Sequence, residues 1–300
     1  MTDQPNAQPL QTQAVVITAP EQVELQTVTL RDPAPDEVII QTAYTSISAG
    51  TERMLFGGQM PHPMLQLPVI PGYETVGRVV ETGADVLPSL KDTWVYVGGA
   101  QCYQGINAAW GGQAATIITG AQRVIPLDGI APRHGLILAL AATALHGIDV
   151  LNPAMSRRIL VIGQGPVGQL AARLARLRET WVAVSDLNAD RLRRAEADLI
   201  LDAADGPLSE RLGAPVDAII EASGSMTALT EALPALANGG TILLLGYYQQ
   251  LTLPYMPLFL KEARLLTAKE WGPHDLDRCR DLLAEGKLDA APLLTHELPI

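Results

Sequence analysis

The segment between residues 158 and 186 limits the possible folds of this chain more than any other part of it. A strand-like apolar run, Arg158-Ile-Leu-Val-Ile, is followed directly by Gly163-Gln-Gly-Pro-Val-Gly, and residues 169–178 have the composition of a helix. A second apolar run begins at Trp181 and ends at Asp186. A G-x-G-x-x-G motif between a strand and a helix is typical of the βαβ unit that binds a dinucleotide. We therefore predict an α/β fold with a doubly wound parallel sheet of the Rossmann type.

The glycine motif predicts a separate role for each of its residues. Gly163 permits a tight turn, Gly165 lets the backbone approach a pyrophosphate, and Gly168 lets the helix pack closely on the strand. The helix that begins at Pro166-Val167 directs its free N–H groups and its positive dipole end at the phosphates. We predict that these residues bind the cofactor.

Asp186 bears on which dinucleotide is bound. An acidic residue about 20 positions after the glycine motif accepts hydrogen bonds from the ribose hydroxyls and repels a 2′-phosphate. NAD is therefore predicted rather than NADP. Arg191, the nearest cation, has two interpretations: it pairs with Asp186 or it packs beside the adenine. A glycine-rich turn followed by a helix-capping Asp186 is the structural alternative to cofactor binding.

The remainder of the chain has two textures. Residues 14–80 contain short β-branched runs separated by Pro and Asp, which indicates small β units such as barrels or rolls. From about Ala131 onward, strand-like runs alternate with helix-forming segments, which indicates a parallel sheet. Because 300 residues exceed what one core usually holds, we predict two domains, with residues 1–130 in the first.

Charge and composition exclude several classes of partner. A net charge of −11 disfavours nucleic acid and anionic membranes. Cys102 and Cys279 lie in no Cys-x-x-Cys motif, so no metal knuckle or redox pair is indicated. No apolar run approaches the roughly 20 residues that span a bilayer, so no stable membrane insertion is predicted. The polar stretch Met1–Gln13 does not resemble a signal peptide, which predicts a cytoplasmic protein.

Several motifs together resemble the medium-chain dehydrogenase/reductase superfamily. The glycine motif is the usual one of that superfamily, and residues 217–224 and 239–246 are similar to its later nucleotide-binding strands. Pro71-Gly-Tyr-Glu stands where its zinc-containing members have Gly-His-Glu. The resemblance implies further cofactor contacts at Thr143, Ser223 and Gly246.

The resemblance also implies a domain organisation. Residues 1–130 would form a GroES-like β-rich catalytic domain, and residues 131–265 a Rossmann NAD-binding domain. Residues 266–300 would return to the catalytic domain, without the last helix and strand of relatives. A homodimer through the edge of the Rossmann sheet is implied as well.

A closer resemblance lies in three segments. Ser46-Ile-Ser-Ala-Gly-Thr-Glu, Gly58-Gln-Met-Pro and Leu67-Pro-Val-Ile-Pro-Gly-Tyr-Glu resemble, in order and spacing, the 3-hydroxyethyl bacteriochlorophyllide a dehydrogenases of bacteriochlorophyll biosynthesis. This resemblance implies a chlorin pigment as the small-molecule substrate, and NAD-dependent oxidation of its 3-hydroxyethyl group to a 3-acetyl group.

The catalytic zinc site of the superfamily has no counterpart in this sequence. Its ligand positions correspond to Ser48, Tyr73 and, by spacing from Thr143, Ala139, none of which suits zinc in this combination. The four-cysteine lobe that holds a structural zinc is absent too, and Cys102 alone cannot replace it. We predict a protein without a metal.

Without zinc, a side chain must take the alcohol proton. Glu74 is a candidate base, or alternatively part of an ion pair behind the site. Tyr73 is a hydrogen-bond partner of the substrate oxygen or a packed tyrosine, and His146 is a proton shuttle, a ribose contact or a capped helical histidine. Thr51 is a relay, and Glu52 is its neighbour that braces the loop. The predicted substrate contacts are Ser48, Glu52, Met60, Trp110 and Tyr247.

Two other functions are consistent with parts of this pattern. A zinc-free quinone or enoyl reductase of the same superfamily would usually prefer NADPH, and Asp186 counts against that. A non-catalytic nucleotide-binding protein would explain the missing zinc ligands, but Tyr73, Glu74 and Thr143 are retained.

Overall fold

The computed structural model describes residues 9–61, 65–152 and 155–299. The first eight residues of the polar stretch Met1–Gln13 therefore lie outside the described residues. The chain divides into two compact units, Met1–Ala139 and Leu140–Ile300. Residues 266–300 group with the second unit, whereas the sequence predicts that they return to the catalytic domain; the three-part division stays a prediction.

The first unit consists of two small β-sheets. One has the strand order β2-β1-β4-β7 and the other β8-β3-β5-β6-β9. All the pairings are antiparallel except that of β4 with β7. The elements are β1 (Gln11–Ala19), β2 (Gln22–Thr29), β3 (Glu37–Thr45), α1 (Thr51–Phe56), β4 (Val69–Ile70), β5 (Thr75–Thr82), β6 (Trp94–Val97), β7 (Asn107–Ala108), β8 (Thr116–Gly120) and β9 (Val124–Pro126), with short 3₁₀ helices at Pro88–Leu90, Ala121–Arg123 and Pro132–Ile137.

The core of this unit lies between the two sheets and is built from β-branched side chains. Val16 of β1, Ile40 of β3 and Ile117 of β8 are fully buried in one hydrophobic cluster. Cys102 is buried in the same cluster, where its Sγ accepts a hydrogen bond from the Ile118 N–H at 3.3 Å. Burial of β-branched residues on a pleated surface is the usual stabilisation of such sheets.

The second unit is a six-stranded parallel sheet with helices between its strands. Its strand order is β12-β11-β10-β13-β14-β15, and every pairing is parallel. The elements are α2 (Leu138–Val150), β10 (Arg158–Ile162), α3 (Pro166–Arg176), β11 (Trp181–Asp186), α4 (Ala189–Leu192), β12 (Leu199–Asp202), α5 (Leu208–Arg211), β13 (Val216–Glu221), α6 (Met226–Ala232), β14 (Leu236–Leu244), α7 (Tyr255–Leu260), β15 (Arg264–Thr267) and α8 (Asp275–Ala284), with 3₁₀ helices at Ala203–Asp205, Leu233–Ala235 and Ala291–Leu293.

The strand order reverses between β10 and β13. From β10 the chain proceeds to β11 and β12 on one side, and β13 to β15 lie on the other. Ligands of doubly wound sheets bind at such a switch point, outside the carboxyl ends of the strands. The register aligns Ile162 with Ser185 of β11 and with Glu221 of β13, so the loops that follow these strands lie at one edge. Across the described part of the chain, no helix is both long and apolar enough to cross a membrane.

Candidate active site

The glycine loop connects β10 to α3 at the switch point. Gly163 has a φ of +87°, and a Cβ there would lie 2.7 Å from the Ser223 backbone. A Cβ on Gly168 would lie 1.8 Å from the Gly163 carbonyl oxygen, so a side chain there would separate the helix from the loop. A Cβ on Gly165 would have no protein atom within 4 Å. The open side of Gly165, beside the α3 N-terminus at Pro166 and Val167, leaves room for a phosphate group.

The Asp186 carboxylate fastens the end of β11 to this loop. Its Oδ2 accepts the Gln164 N–H at 2.6 Å and its Oδ1 accepts the Asn188 N–H at 2.8 Å. Arg191 lies 3.7 Å from Oδ2, so it pairs with Asp186 in this structure. The α4 cap is Asn188, whose side chain accepts from the N–H groups of Asp190 and Arg191, and not Asp186.

Glu221, at the end of β13, is a site residue that the sequence analysis missed. It is fully buried, and its Oε1 accepts hydrogen bonds from the Ser223 N–H at 2.8 Å and from the Ser223 hydroxyl. Its Oε2 accepts the Gly224 N–H at 3.1 Å, and a Cβ on Gly246 would lie 2.6 Å from the same oxygen. Burial raises the pKa of Glu221, against these hydrogen bonds. The sequence could have indicated Glu221, because an acidic residue at the end of a buried strand needs hydrogen-bond partners.

Helix α2 presents Thr143 and His146, both half-buried and one turn apart. The His146 Nδ1 lies 3.6 Å from Oδ2 of the buried Asp275, which also accepts the Gly272 N–H at 2.8 Å. Arg278 donates to the other oxygen of Asp275 at 2.8 Å. No motif or spacing in the sequence indicated Asp275 as a partner of His146.

In the first unit, three hydroxyl groups converge. The Tyr73 phenol donates to the Ser48 Oγ at 2.7 Å, and the Thr51 side chain forms a hydrogen bond with the same phenol. Ser48 lies between β3 and α1, Thr51 begins α1, and Tyr73 precedes β5. We call Ser48, Thr51 and Tyr73 the hydroxyl cluster. Burial, together with the nearby Glu74 carboxylate, raises the pKa of Tyr73 to about 12, so its phenol keeps its proton at neutral pH.

Glu74 is buried beside this cluster, with a relative exposure of 2%. Its Oε2 accepts a hydrogen bond from the Ser46 hydroxyl. Ser46 is a neutral partner, whereas the alternative interpretation of Glu74 was an ion pair. Its Oε1 is buried and has no hydrogen-bond partner among the described residues. Burial raises the pKa of Glu74 to about 7.

Glu52 is a second buried carboxylate, also with a pKa that burial raises to about 7. Its Oε2 accepts the Ser48 N–H at 2.6 Å, and its Oε1 accepts the Gln113 Nε2 at 2.7 Å. Both carboxylate oxygens of Glu52 therefore accept hydrogen bonds from the protein. This geometry suits a brace for the Ser48 segment rather than a contact with substrate.

The predicted substrate contacts are in different surroundings. Trp110 is half-buried, has a φ of +68°, and its ring centroid lies 5.3 Å from that of Tyr73 at an interplanar angle of 59°. Met60 is buried in a hydrophobic cluster with Met54, Leu55 and other residues, against which Trp110 also packs. Met60 therefore contributes to the hydrophobic cluster against which Trp110 packs. Tyr247, in the second unit, is exposed.

Two family models match the chain. One, described as alcohol dehydrogenase GroES-like domain, matches residues 34–129, and the other, described as zinc-binding dehydrogenase, matches residues 166–285. A 2-desacetyl-2-hydroxyethyl bacteriochlorophyllide A dehydrogenase from Cereibacter sphaeroides is 35% identical over 299 residues, which cover 97% of this chain and 91% of that protein. Its namesake from Rhodobacter capsulatus is 33% identical with the same coverage, 97% and 91%. The chain belongs to the medium-chain dehydrogenase/reductase superfamily.

Solved structures of other dehydrogenases share this fold. A dehydrogenase from Sinorhizobium meliloti 1021 bound to NADP has a TM-score of 0.81 at 23% identity, covering 93% of this chain and 90% of its own. An alcohol dehydrogenase from Escherichia coli CFT073 complexed with NADH has a TM-score of 0.82 at 18% identity, covering 94% and 90%. The predicted GroES-like and Rossmann architecture is confirmed, and so is the prediction of a dehydrogenase.

The three residues that the resemblance places at the zinc-ligand positions do not fit the zinc that the family description implies. Zinc prefers thiolate, imidazole and carboxylate ligands. Here the hydroxyls of Ser48 and Tyr73 are bonded to each other, and Ala139 offers only a methyl group. Among the residues that the structure describes, no group of three or more His, Cys, Asp or Glu side chains could hold a metal ion.

Proposed function

We propose that this dehydrogenase oxidises the hydroxyethyl group of a bacteriochlorophyllide to an acetyl group, with NAD as the hydride acceptor and without zinc. The observation that carries the proposal is the hydroxyl cluster, in which Tyr73 and Ser48 are hydrogen-bonded at 2.7 Å. The resemblance to the superfamily equates these two positions with zinc ligands. The two relatives described above, similar over 97% of the chain, are named for that substrate.

The reaction separates the two hydrogens of a secondary alcohol. NAD, held by the glycine loop and Asp186, would supply the acceptor for the C–H hydrogen and its electron pair. The O–H proton would go to the protein, leaving a ketone. A positive charge develops on the carbon as the hydride leaves. The conjugated macrocycle next to a hydroxyethyl carbon delocalises that charge, so the alcohol needs less activation by a metal. The protein then has to orient the alcohol, accept its proton and exclude water.

The hydroxyl cluster is proposed to hold the substrate oxygen. The phenol of Tyr73 stays protonated, since burial raises its pKa to about 12. It therefore acts as a hydrogen-bonding relay and not as the base. Because its proton is already directed at Ser48, the oxygen of Tyr73 can accept the hydrogen of the alcohol.

Glu74 is proposed to be the final proton acceptor. A carboxylate whose pKa is about 7 is well matched to general-base catalysis near neutral pH. Its Oε1 has lone pairs that no described residue uses, whereas both oxygens of Glu52 accept hydrogen bonds from the protein. His146, paired with Asp275, is the alternative relay.

NAD is proposed in preference to NADP because of Asp186. The glycine loop leaves open space beside Gly165, which suits a pyrophosphate, and Asp186 lies at the neighbouring strand end. Its carboxylate would accept a hydrogen bond from a ribose hydroxyl and repel a 2′-phosphate. Solved structures of this fold contain NADP or NADH, so the fold alone does not select between the cofactors. We therefore base the preference for NAD on the residue at the end of β11.

The homodimer is proposed to form through the β15 edge of the Rossmann sheet. β15 lies at the sheet edge, and its Leu265 is exposed together with Tyr255, Met256 and Phe259 of α7. An unpaired strand beside exposed apolar side chains is a surface that a second copy would cover. Light scattering of the purified protein measures the mass.

The proposed function is tested by turnover of the pigment itself. The purified protein is incubated with NAD and a hydroxyethyl bacteriochlorophyllide, NADH is measured, and the pigment product is identified by mass. The matched control is the pigment with a vinyl group in place of the hydroxyethyl group, which cannot donate a hydride. Formation of NADH and of the acetyl pigment is expected. Faster reduction of quinones or enones by NADPH would instead support the reductase alternative.

A further inference from the structure

Gln113 joins the two chain segments that carry the hydroxyl cluster. Its backbone N–H donates to the Pro71 carbonyl at 3.0 Å, and a Cβ on Gly72 would lie 2.6 Å from its Cγ. Gln113 is thus packed directly against the residues that precede Tyr73. Its side-chain Nε2 donates to the Glu52 Oε1 at 2.7 Å, which reaches the other segment.

Glu52 continues this connection to Ser48. The second oxygen of Glu52 accepts the backbone N–H of Ser48 at 2.6 Å, and the Ser48 Oγ in turn accepts the Tyr73 phenol at 2.7 Å. Gln113 and Glu52 are both buried, and their mutual hydrogen bond of 2.7 Å is shorter than the second bond of the Gln113 Nε2, to the Ser46 carbonyl at 3.5 Å. The two groups are complementary, because a carboxylate only accepts hydrogen bonds and the amide nitrogen only donates them.

We propose that Gln113 and Glu52 are positioning residues that hold the Ser48 hydroxyl at hydrogen-bonding distance from the Tyr73 phenol. Both Glu52 oxygens and the Gln113 Nε2 are hydrogen-bonded to each other or to the backbone of Ser48 and Ser46, so we assign the two residues an action through Ser48. The inference rests on the proposed function, in which the alcohol reacts at the hydroxyl cluster. A displacement of about 1 Å in such a site can lower the rate by about a hundredfold.

The test uses the nearly isosteric substitution Gln113→Glu. In assays well above pH 7, where Glu52 with its pKa of about 7 is ionised, this substitution places two carboxylates opposite each other, so the connection to Ser48 is lost. We expect kcat for the pigment to fall by about 10- to 100-fold. The KM for NAD should not change, because the glycine loop belongs to the other compact unit.

A second substitution should restore the connection. In the double variant Glu52→Gln/Gln113→Glu, the amide at position 52 accepts the Ser48 N–H through its oxygen and donates through its nitrogen to the carboxylate at position 113. We expect this variant to recover most of the lost kcat. A residue that only fills space would not show such a rescue.

The control variant is Gln26→Glu. The Gln26 Nε2 donates to the Glu24 Oε2 at 2.7 Å on the exposed strand β2, so the same chemical change occurs away from the site. Its kcat should equal that of the wild type. If Gln113→Glu does not fold, Gln113→Met removes the donor without adding charge, and a lowered kcat is again expected.

The inference is overturned if Gln113→Glu keeps the wild-type kcat. It is also overturned if adding Glu52→Gln to Gln113→Glu does not restore kcat. If the wild type oxidises no pigment, the proposed function fails, and thermal unfolding then decides the inference. Gln113→Glu should lower the unfolding midpoint and Glu52→Gln should restore it. Additive effects of the two substitutions on the midpoint would then overturn the hydrogen-bonded pair itself.

Discussion

Glu74→Gln should reduce the dependence of protein stability on pH. The pKa of Glu74 is raised to about 7 in the folded protein, mainly by burial, from an ordinary value of 4.5. The folded state therefore holds this proton more tightly than the unfolded state. The stability that it contributes is fully present below pH 4.5 and is lost as the pH rises through about 7. Glutamine does not titrate, so it removes this loss.

The magnitude follows from the two pKa values. One pKa unit is worth about 1.36 kcal/mol, so the difference between 4.5 and about 7 corresponds to about 3 kcal/mol. At a few degrees per kcal/mol, the unfolding midpoint of the wild type should fall by about 10 °C between acid and alkaline buffers through Glu74 alone. Glu52 contributes a second loss in the same pH range. Glu74→Gln should therefore remove about half of the combined effect.

Activity should depend on pH in the opposite direction. The base must be deprotonated to accept the alcohol proton, so kcat/KM should rise through about pH 7 as the stability falls. Glu74→Gln should lower kcat by about 10²–10⁴-fold and abolish this rise.

Calorimetry at several pH values, together with steady-state kinetics, measures both effects. The control is Glu81→Gln, an exposed position on β5, the strand that begins directly after Glu74. A Glu74→Gln protein with wild-type pH dependence of both quantities would refute the assignment of Glu74.

Three further predictions concern the cofactor and the metal. Asp186→Ser should weaken NAD binding and reduce its preference over NADP, as measured by titration; equal wild-type affinity for both cofactors would contradict the role of Asp186. Gly165→Val should abolish NAD binding yet preserve the circular dichroism spectrum, because its side chain would enter open space; retained binding would place the phosphates elsewhere. Elemental analysis should find no stoichiometric zinc, and chelators should not reduce turnover; one tightly held zinc per chain would show that Ser48, Tyr73 and Ala139 are not the equivalent positions.

The Rossmann half of the fold was predictable because its signals are local. The strand-glycine-helix order at residues 158–178 and the acid at Asp186 lie within one βαβ unit, where sequence distance and spatial distance correspond. The replacement of zinc ligands by Ser48 and Tyr73 stays a prediction, which rests on the short motifs that contain these two residues. That the two hydroxyls bond to each other required the structure, because 25 positions separate them.

Two of the partners that no sequence pattern indicated are distant in the chain. Gln113 reaches Glu52 across 61 positions, and Asp275 approaches His146 from a different helix. No periodicity or spacing rule connects such residues, because their contact is created by tertiary packing. Glu221 differs in this respect, because it lies two positions before Ser223 and its burial at a strand end could have been inferred.

Tyr73→Phe tests the relay role most directly. It removes the hydroxyl that donates to Ser48 and keeps the ring that packs 5.3 Å from Trp110, so the fold should be preserved. Because the phenol is proposed to orient the alcohol and pass on its proton, kcat should fall by about 10²–10⁴-fold with NAD affinity unchanged. The control is Tyr103→Phe, which removes a hydrogen bond from a partly buried tyrosine to the Gly111 carbonyl.

The pH profile of Tyr73→Phe distinguishes a relay from the base. If Glu74 is the base, the residual activity of this variant should still rise through about pH 7, because the titrating carboxylate is still present. If Tyr73→Phe lowers kcat and also removes the rise of activity through about pH 7, then Tyr73 and Glu74 act together as the acid–base group. Wild-type kcat in Tyr73→Phe would contradict the hydroxyl cluster as the site of the alcohol, and the proton acceptor would then have to be sought at His146 and Asp275.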